Sequence, residues 1–254
     1  MSTTIKYALV TGGSRGIGCA IAERLARDGY YVVINYKSND TAAQQILQTI
    51  IQSGGQAELL KFDVTSPAAI QEAYTNWCTA HKGAHFDVLI NNAQASASGV
   101  TIENHTTEQF NLAMYSGLYA TFYYMKACYP YLKETKGTVI NFASGAGLFG
   151  NKGQSSYAAA KEGIRGLSRV AATEWGPDGI NVNVICPLAW TAQLEGFEKA
   201  YPEAFKANVK MPPAGHFGDP ELEIGRVCVQ LANPDFKYMT GETITLEGGL
   251  GLRP

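Results

Sequence analysis

Two hydrophobic periods alternate along the chain. Short apolar runs bounded by turn residues predict strands at 5–11, 31–35, 57–62, 88–90, 137–142, 181–186 and 243–246. Stretches with apolar residues three and four apart predict helices at 16–28, 41–53, 67–79, 107–132 and 155–175. In the first of these, Ile17, Ala20, Ile21 and Leu25 share a face. Pro67 stands at a helix start, where its fixed φ and missing N–H do no harm. Strands separated by long helices imply βαβ units and a parallel sheet covered on both faces. The expected fold is therefore α/β: a doubly wound, Rossmann-type, seven-stranded parallel sheet in a single domain, residues 1–254. Residues 187–220 are the least regular, with Pro202, Pro212, Pro213, Gly215 and Gly218, and they follow a strand's carboxyl end. Open α/β sheets bind ligands there, so a substrate-binding lid is expected over about 188–218.

Composition narrows the class. Twenty Lys and Arg against 22 Asp and Glu leave a formal charge of −2, with no basic field to attract nucleic acid or an anionic membrane. No apolar run reaches the roughly 20 residues of a membrane span, and residues 1–7 lack the pattern of a secretory signal. Five widely spaced cysteines read as free thiols in a reducing compartment, so a cytoplasmic location is expected. Cys78, His81 and His85 have metal-ligating side chains, but Gly83 interrupts their helix and no fourth ligand lies nearby; no metal is expected.

Residues 11–18, TGGSRGIG, join the first predicted strand to the first helix. Glycines there let the backbone turn tightly against a pyrophosphate, which the helix amides and dipole then hold. Gly12, Ser14, Arg15, Gly16, Ile17 and Gly18 are the candidate contacts. An acidic residue about 20 positions further on would bond the ribose 2′-hydroxyl of NAD. Tyr36 stands there instead, followed by Lys37 and Ser38. Lys37 and Arg15 can supply positive charge to a 2′-phosphate, which favours NADP(H) over NAD(H); the alternative is that both are solvated surface charges.

With these features the chain resembles the short-chain dehydrogenases/reductases over nearly its whole length. TGGSRGIG is similar to that family's TGxxxGxG turn, and Asp63-Val64 to its adenine-contacting pair. Asn91-Asn92-Ala93-Gln94 resembles the family's NNAG segment, with Asn91 and Ala93 toward the cofactor. Ser144, Tyr157 and Lys161 match its catalytic serine and YxxxK pair, and residues 239–249 its closing strand. The resemblance implies cofactor contacts from Tyr157, Lys161, Pro187, Leu188 and Thr191, and a homotetramer assembled through the long helices. The chemistry also follows from the residues. Tyr157 and Lys161 lie four apart and share a helix face. An adjacent ammonium is expected to lower the tyrosine pKa from near 10 towards the working range. Ser144 is placed to bond the substrate oxygen, to which Tyr157 gives its proton.

Three positions depart from the family pattern. Gly117 stands where the family has an active-site asparagine that holds a water in a relay to the lysine. Either a backbone carbonyl or an extra water replaces it, or activity is weakened, or the helix needs close packing or a kink there. Leu188 replaces the glycine of a Pro-Gly pair, and Gln94 replaces glycine in NNAG; Gln94 either bonds cofactor or substrate or points to solvent.

On the substrate side, Phe149, Trp190, Phe197, Tyr201, Phe205 and Phe217 either line the pocket mouth or pack the lid on the domain body. The first option implies an apolar or aromatic small-molecule ketone or alcohol. Lys199, Lys206 and Lys210 either form a phosphate-binding cluster or a solvated face. The expected function is an NADPH-dependent carbonyl reductase. A 3-oxoacyl-thioester reductase and a sugar or polyol dehydrogenase are the alternatives within chemistry; a dinucleotide-binding sensor or scaffold of low turnover is the alternative outside it.

Overall fold

In Lys6–Val10 (β1), alternate side chains enter opposite layers: Ala8 and Val10 pack with one helical layer, and Leu9 with the other. Being buried on both faces is what makes the strand an unbroken apolar run. The same holds for Tyr30–Tyr36 (β2) and Phe86–Asn91 (β4), which flank β1. Gln56–Lys61 (β3), Thr138–Phe142 (β5), Asn181–Pro187 (β6) and Thr243–Leu246 (β7) complete a seven-stranded sheet. Every pairing is parallel and the order is β3-β2-β1-β4-β5-β6-β7, with Val10 opposite both Ile34 and Ile90. The order reverses direction between β1 and β4, the crevice where such sheets bind ligands. The computed structural model describes residues 5–81 and 84–251. The helix break expected at Gly83 and the first four residues of the expected leaderless N-terminus lie outside them.

One face of the sheet is covered by Gly16–Arg27 (α1), through Ile21 and Leu25, and Asp40–Gln52 (α2), through Ile46 and Ile50. The other is covered by Pro67–Ala80 (α3), with Ile70, Tyr74 and Trp77 buried. Each fully buried side chain of this size contributes about 1.5–3 kcal/mol relative to exposure. Local signals start the helices: Asn39 caps α2 by accepting from the Ala42 amide at 3.0 Å, and Ser66 caps α3 at 3.2 Å.

The helix expected at 107–132 is continuous but not uniform. Thr107–Ala113 (α4) starts in a capping box between Thr106 and Gln109. A π-helical turn, Met114–Tyr119, follows and leads into Ala120–Thr135 (α5). After β5 a short helix, Gly145–Phe149 (α6), precedes the long Ser155–Trp175 (α7). Beyond β6 come Ala192–Ala200 (α8) and Pro202–Asn208 (α9), then a second π turn, Pro220–Gly225, and Arg226–Leu231 (α10) on the α1 face. The irregular segment is an excursion with joined ends: Ala189 bridges Gly218, and Trp190 N–H donates to the Gly218 carbonyl at 2.9 Å. No cysteine is in a disulfide. No helix among the described residues is long and apolar enough to cross a membrane.

Candidate active site

The turn after β1 is braced by hydrogen bonds from the segment that follows β4. Thr11 Oγ1 accepts from the Asn92 and Ala93 amides, each at 3.0 Å, and Asn92 Nδ2 donates to the Thr11 carbonyl at 3.0 Å. Gly12 (φ +62°) and Gly16 (φ +57°) take left-handed backbone, which other residues adopt only with strain. A methyl at Gly18 would lie 2.6 Å from the Gly12 carbonyl oxygen and 2.5 Å from Asn92 Nδ2, whereas nothing stands within 4 Å of one at Gly16. The turn is thus closed on the protein side at 18 and open at 16. Arg15 is the N-cap of α1 and makes no side-chain cap, unlike Asn39 and Ser66 on α2 and α3. The first amides of α1, at Gly16, Ile17 and Gly18, therefore lack a capping side chain, and Ser14 and Arg15 flank them; a pyrophosphate fits this cradle.

At the end of β2, Tyr36 is buried and donates to Asp40 Oδ1 at 2.8 Å, while Lys61 pairs with the same carboxylate at 2.7 Å. Lys37 and Ser38 are exposed, and Lys37 reaches Asp63 at 2.7 Å. Burial raises the Asp63 pKa, but Lys37 and the Thr65 amide outweigh it and hold the carboxyl below its usual range. Val64 packs partly into the core. Asn91 turns inward and donates to Asn141 Oδ1 at 2.8 Å. Pro187 ends β6, Leu188 N–H donates to the Leu246 carbonyl, and Thr191 Oγ1 caps α8 from 3.2 Å.

Ser144, Tyr157 and Lys161 come together past the end of β5. Ser144 caps α6 and acts on the Tyr157 phenol as a hydrogen-bond partner that lowers its pKa. Burial acts the other way and dominates, so the phenol lies above its usual 10 and stays protonated at neutral pH. Lys161 is buried, donates to the Phe142 carbonyl at 2.6 Å, and sits 5.4 Å from the Tyr157 ring centroid. Its burial pushes the amine down to about 7. This corrects the expectation that Lys161 draws the phenol towards neutrality: the same dry environment that raises Tyr157 lowers the lysine, so that it is only partly charged near neutral pH.

Gly117 lies in the π turn, and Gln94 occupies the space in front of it. A methyl at 117 would stand 2.7 Å from each terminal atom of Gln94. Gln94 Nε2 donates to the Ala113 carbonyl at 3.4 Å, so the side chain runs along the helix rather than into solvent. The lid aromatics contact one another: Trp190 lies 5.4 Å from Phe217, and Phe197 lies 6.0 Å from both Phe205 and Tyr201. Tyr201 and Phe149 remain exposed. Lys199 pairs with Glu195 within α8. His81 stacks on Trp77 at 4.6 Å, and His85 Nε2 lies 3.1 Å from the Glu134 carboxylate.

Three supports were not singled out from sequence. Asn92 braces the glycine turn, as above. Ser116 Oγ accepts from the Ala95 amide at 2.9 Å and ties the π turn to the segment after β4. Buried Glu247 accepts from the Gly145 amide at 3.0 Å and anchors the helix that Ser144 caps. Each joins residues far apart in the chain, so spacing carries no signal of it; the TLEGG run around Glu247 was legible only as a strand end.

Residues 12–251 match a family model described as Enoyl-(Acyl carrier protein) reductase. A 12alpha-hydroxysteroid dehydrogenase of Clostridium sp. (strain ATCC 29733 / VPI C48-50) is 58% identical over 257 residues, covering 98% of each chain. A 3-oxoacyl-[acyl-carrier-protein] reductase of Synechocystis sp. (strain PCC 6803 / Kazusa) is 32% identical, covering 97% of each. A dehydrogenase/reductase from Sinorhizobium meliloti 1021 has a similar structure, with TM-score 0.87 and 32% identity over 96% of this chain and 94% of that one. This breadth of likeness makes the chain a member of the short-chain dehydrogenase/reductase family, an oxidoreductase of hydroxyl and carbonyl groups that uses a nicotinamide dinucleotide.

Proposed function

We propose that the protein is an NADP(H)-dependent carbonyl reductase that interconverts a ketone and a secondary alcohol on an apolar, fused-ring substrate of the hydroxysteroid class. One observation carries the reading: Tyr157 faces Ser144 and overlies a buried lysine, in a chain 58% identical end to end to a 12alpha-hydroxysteroid dehydrogenase. Ser144 hydrogen-bonds the substrate oxygen. Tyr157, held protonated by burial, gives that oxygen its proton. Lys161 returns a proton to Tyr157. A nicotinamide dinucleotide held at the amides of Gly16, Ile17 and Gly18 would supply or accept the hydride. NADP(H) is supported by Tyr36 in place of an acid and by exposed Lys37 and Arg15 beside the cradle. The excursion at 188–218 acts as the lid, and exposed Phe149 and Tyr201 suit an apolar substrate, with Gln94, Trp190 and Phe197 as further candidate contacts. Exposed Tyr115, Tyr119, Phe122 and Val170 on the long helices support a homotetramer. Five thiols without a disulfide suit the cytoplasm.

The test follows loss of reduced cofactor, NADPH and NADH separately, with a 12-oxo steroid, a 3-oxoacyl thioester and a ketose. Turnover of the steroid, faster with NADPH, is the expected result. Preference for the thioester would instead place the chain with its 3-oxoacyl reductase relatives. Tight cofactor binding with no turnover of any carbonyl would leave a sensor or scaffold.

A further inference from the structure

A buried acceptor without a partner and a buried amine lie in the active-site region. Gln94 Oε1 is shielded from solvent and has no hydrogen-bond partner among the described residues. Lys161 Nζ carries up to three N–H groups and donates one to the Phe142 carbonyl, which ends the strand next to β4. A buried acceptor without a donor is costly, and a water that donates to it while accepting from a remaining N–H of the buried amine would remove that cost. Two more shielded oxygens without a protein partner, Asn91 Oδ1 and Ser156 Oγ, sit on β4 and α7. The elements are held together: Ser116 is bonded to Ala95, and Leu118 packs where a methyl at Gly163, two residues past Lys161, would stand 2.7 Å away.

Gly117 explains why Gln94 stays in place. All three terminal atoms of Gln94 fill the volume that a side chain at 117 would need. The residue types at 94 and 117 are therefore one choice made at two positions: a carboxamide delivered from the loop after β4 requires a bare backbone on the facing helix turn.

We propose that Gln94 is a positioning residue, locked in place by Gly117, whose amide oxygen holds the water through which Lys161 exchanges protons with solvent. The water passes one proton to the neutral amine and takes one from bulk water, so it is unchanged by each turnover. The relay part of this rests on the carbonyl-reductase reading; the lock does not.

Two experiments separate them. Thermal unfolding is measured for Gly117→Ala in the native background and in Gln94→Ala. Alanine at 117 is expected to raise Tm in the Gln94→Ala background by about 3 °C more than in the native one, because there it gains helix propensity with no side chain to displace. Equal shifts would overturn the lock, whether or not the protein turns over any substrate. Steady-state kinetics then test the relay. Gln94→Met, which keeps length and loses the acceptor, is expected to lower kcat by roughly 10- to 100-fold with both KM values within about twofold. The double change Gln94→Gly with Gly117→Asn, which offers a carboxamide from the opposite wall, is expected to recover most of the kcat that Gln94→Gly loses. A Gln94→Met enzyme with native kcat, or no recovery in the double variant, would overturn the relay.

Discussion

At the residue scale, Tyr157 and Lys161 show burial moving an acid and a base in opposite directions. The phenol is held above 10, and the amine falls from 10.5 to about 7. Tyr157→Phe is expected to lower kcat by about 100- to 10,000-fold while dinucleotide affinity, read by fluorescence titration, stays within about twofold. Lys161 also makes stability depend on pH. Between about 7 and 10.5 the unfolded chain holds a proton on this lysine that the folded chain has released, so native stability rises with pH across that window. Below it the full cost of the buried charge applies. Lys161→Met is therefore expected to exceed the native protein in Tm most at pH 6 and least near pH 10; a gap that widens with pH would contradict the burial of a shifted amine. Tyr157 and Lys161 were legible because four-residue spacing puts them on one helix face. Gln94 and Gly117 were legible as oddities but not as a pair, since only the folded chain sets the loop after β4 against the π turn.

At the element scale, the glycine turn separates two roles of one residue type. Gly16 serves backbone conformation with open space in front of it; Gly18 serves close packing against Gly12 and Asn92. Gly18→Ala forces backbone apart and is expected to cost about 1–3 kcal/mol in denaturant unfolding, together with a raised KM for the dinucleotide. Gly16→Ala should cost about 1 kcal/mol, the strain of its left-handed φ. If Gly16→Ala proved the more destabilising, the contact at 18 would not be what closes the turn. Strands and helices were read from period and caps to within a few residues, because burial on both sheet faces writes itself into composition. The π turn was not, since it differs from an α-helix by one hydrogen-bond step that no side-chain pattern records.

At the scale of the whole molecule, the parallel order brings the carboxyl ends of all seven strands to one rim, which is why residues from Gly12 to Thr191 can share a ligand. Alternating elements foretold the sheet; the strand order and the bracing by Asn92 and Glu247 needed the fold. Lys37→Ala is expected to raise the KM for NADPH several-fold more than that for NADH, since a point charge on the 2′-phosphate matters to one cofactor only; equal effects would remove that role. Light scattering is expected to give the mass of four chains, and Tyr119→Glu on the exposed aromatic row to reduce it.

The bridge between Ala189 and Gly218 has a consequence for how such a chain can diversify. Because the two ends of the excursion are neighbours, bonded to each other and to the sheet's edge, whatever runs between them is a cassette. No residue of α8 is buried, so exchanging the cassette disturbs little of the core. New substrates can then be acquired by swapping 190–217 from a relative, while the hydride and proton chemistry stays on a scaffold that never has to refold around the change.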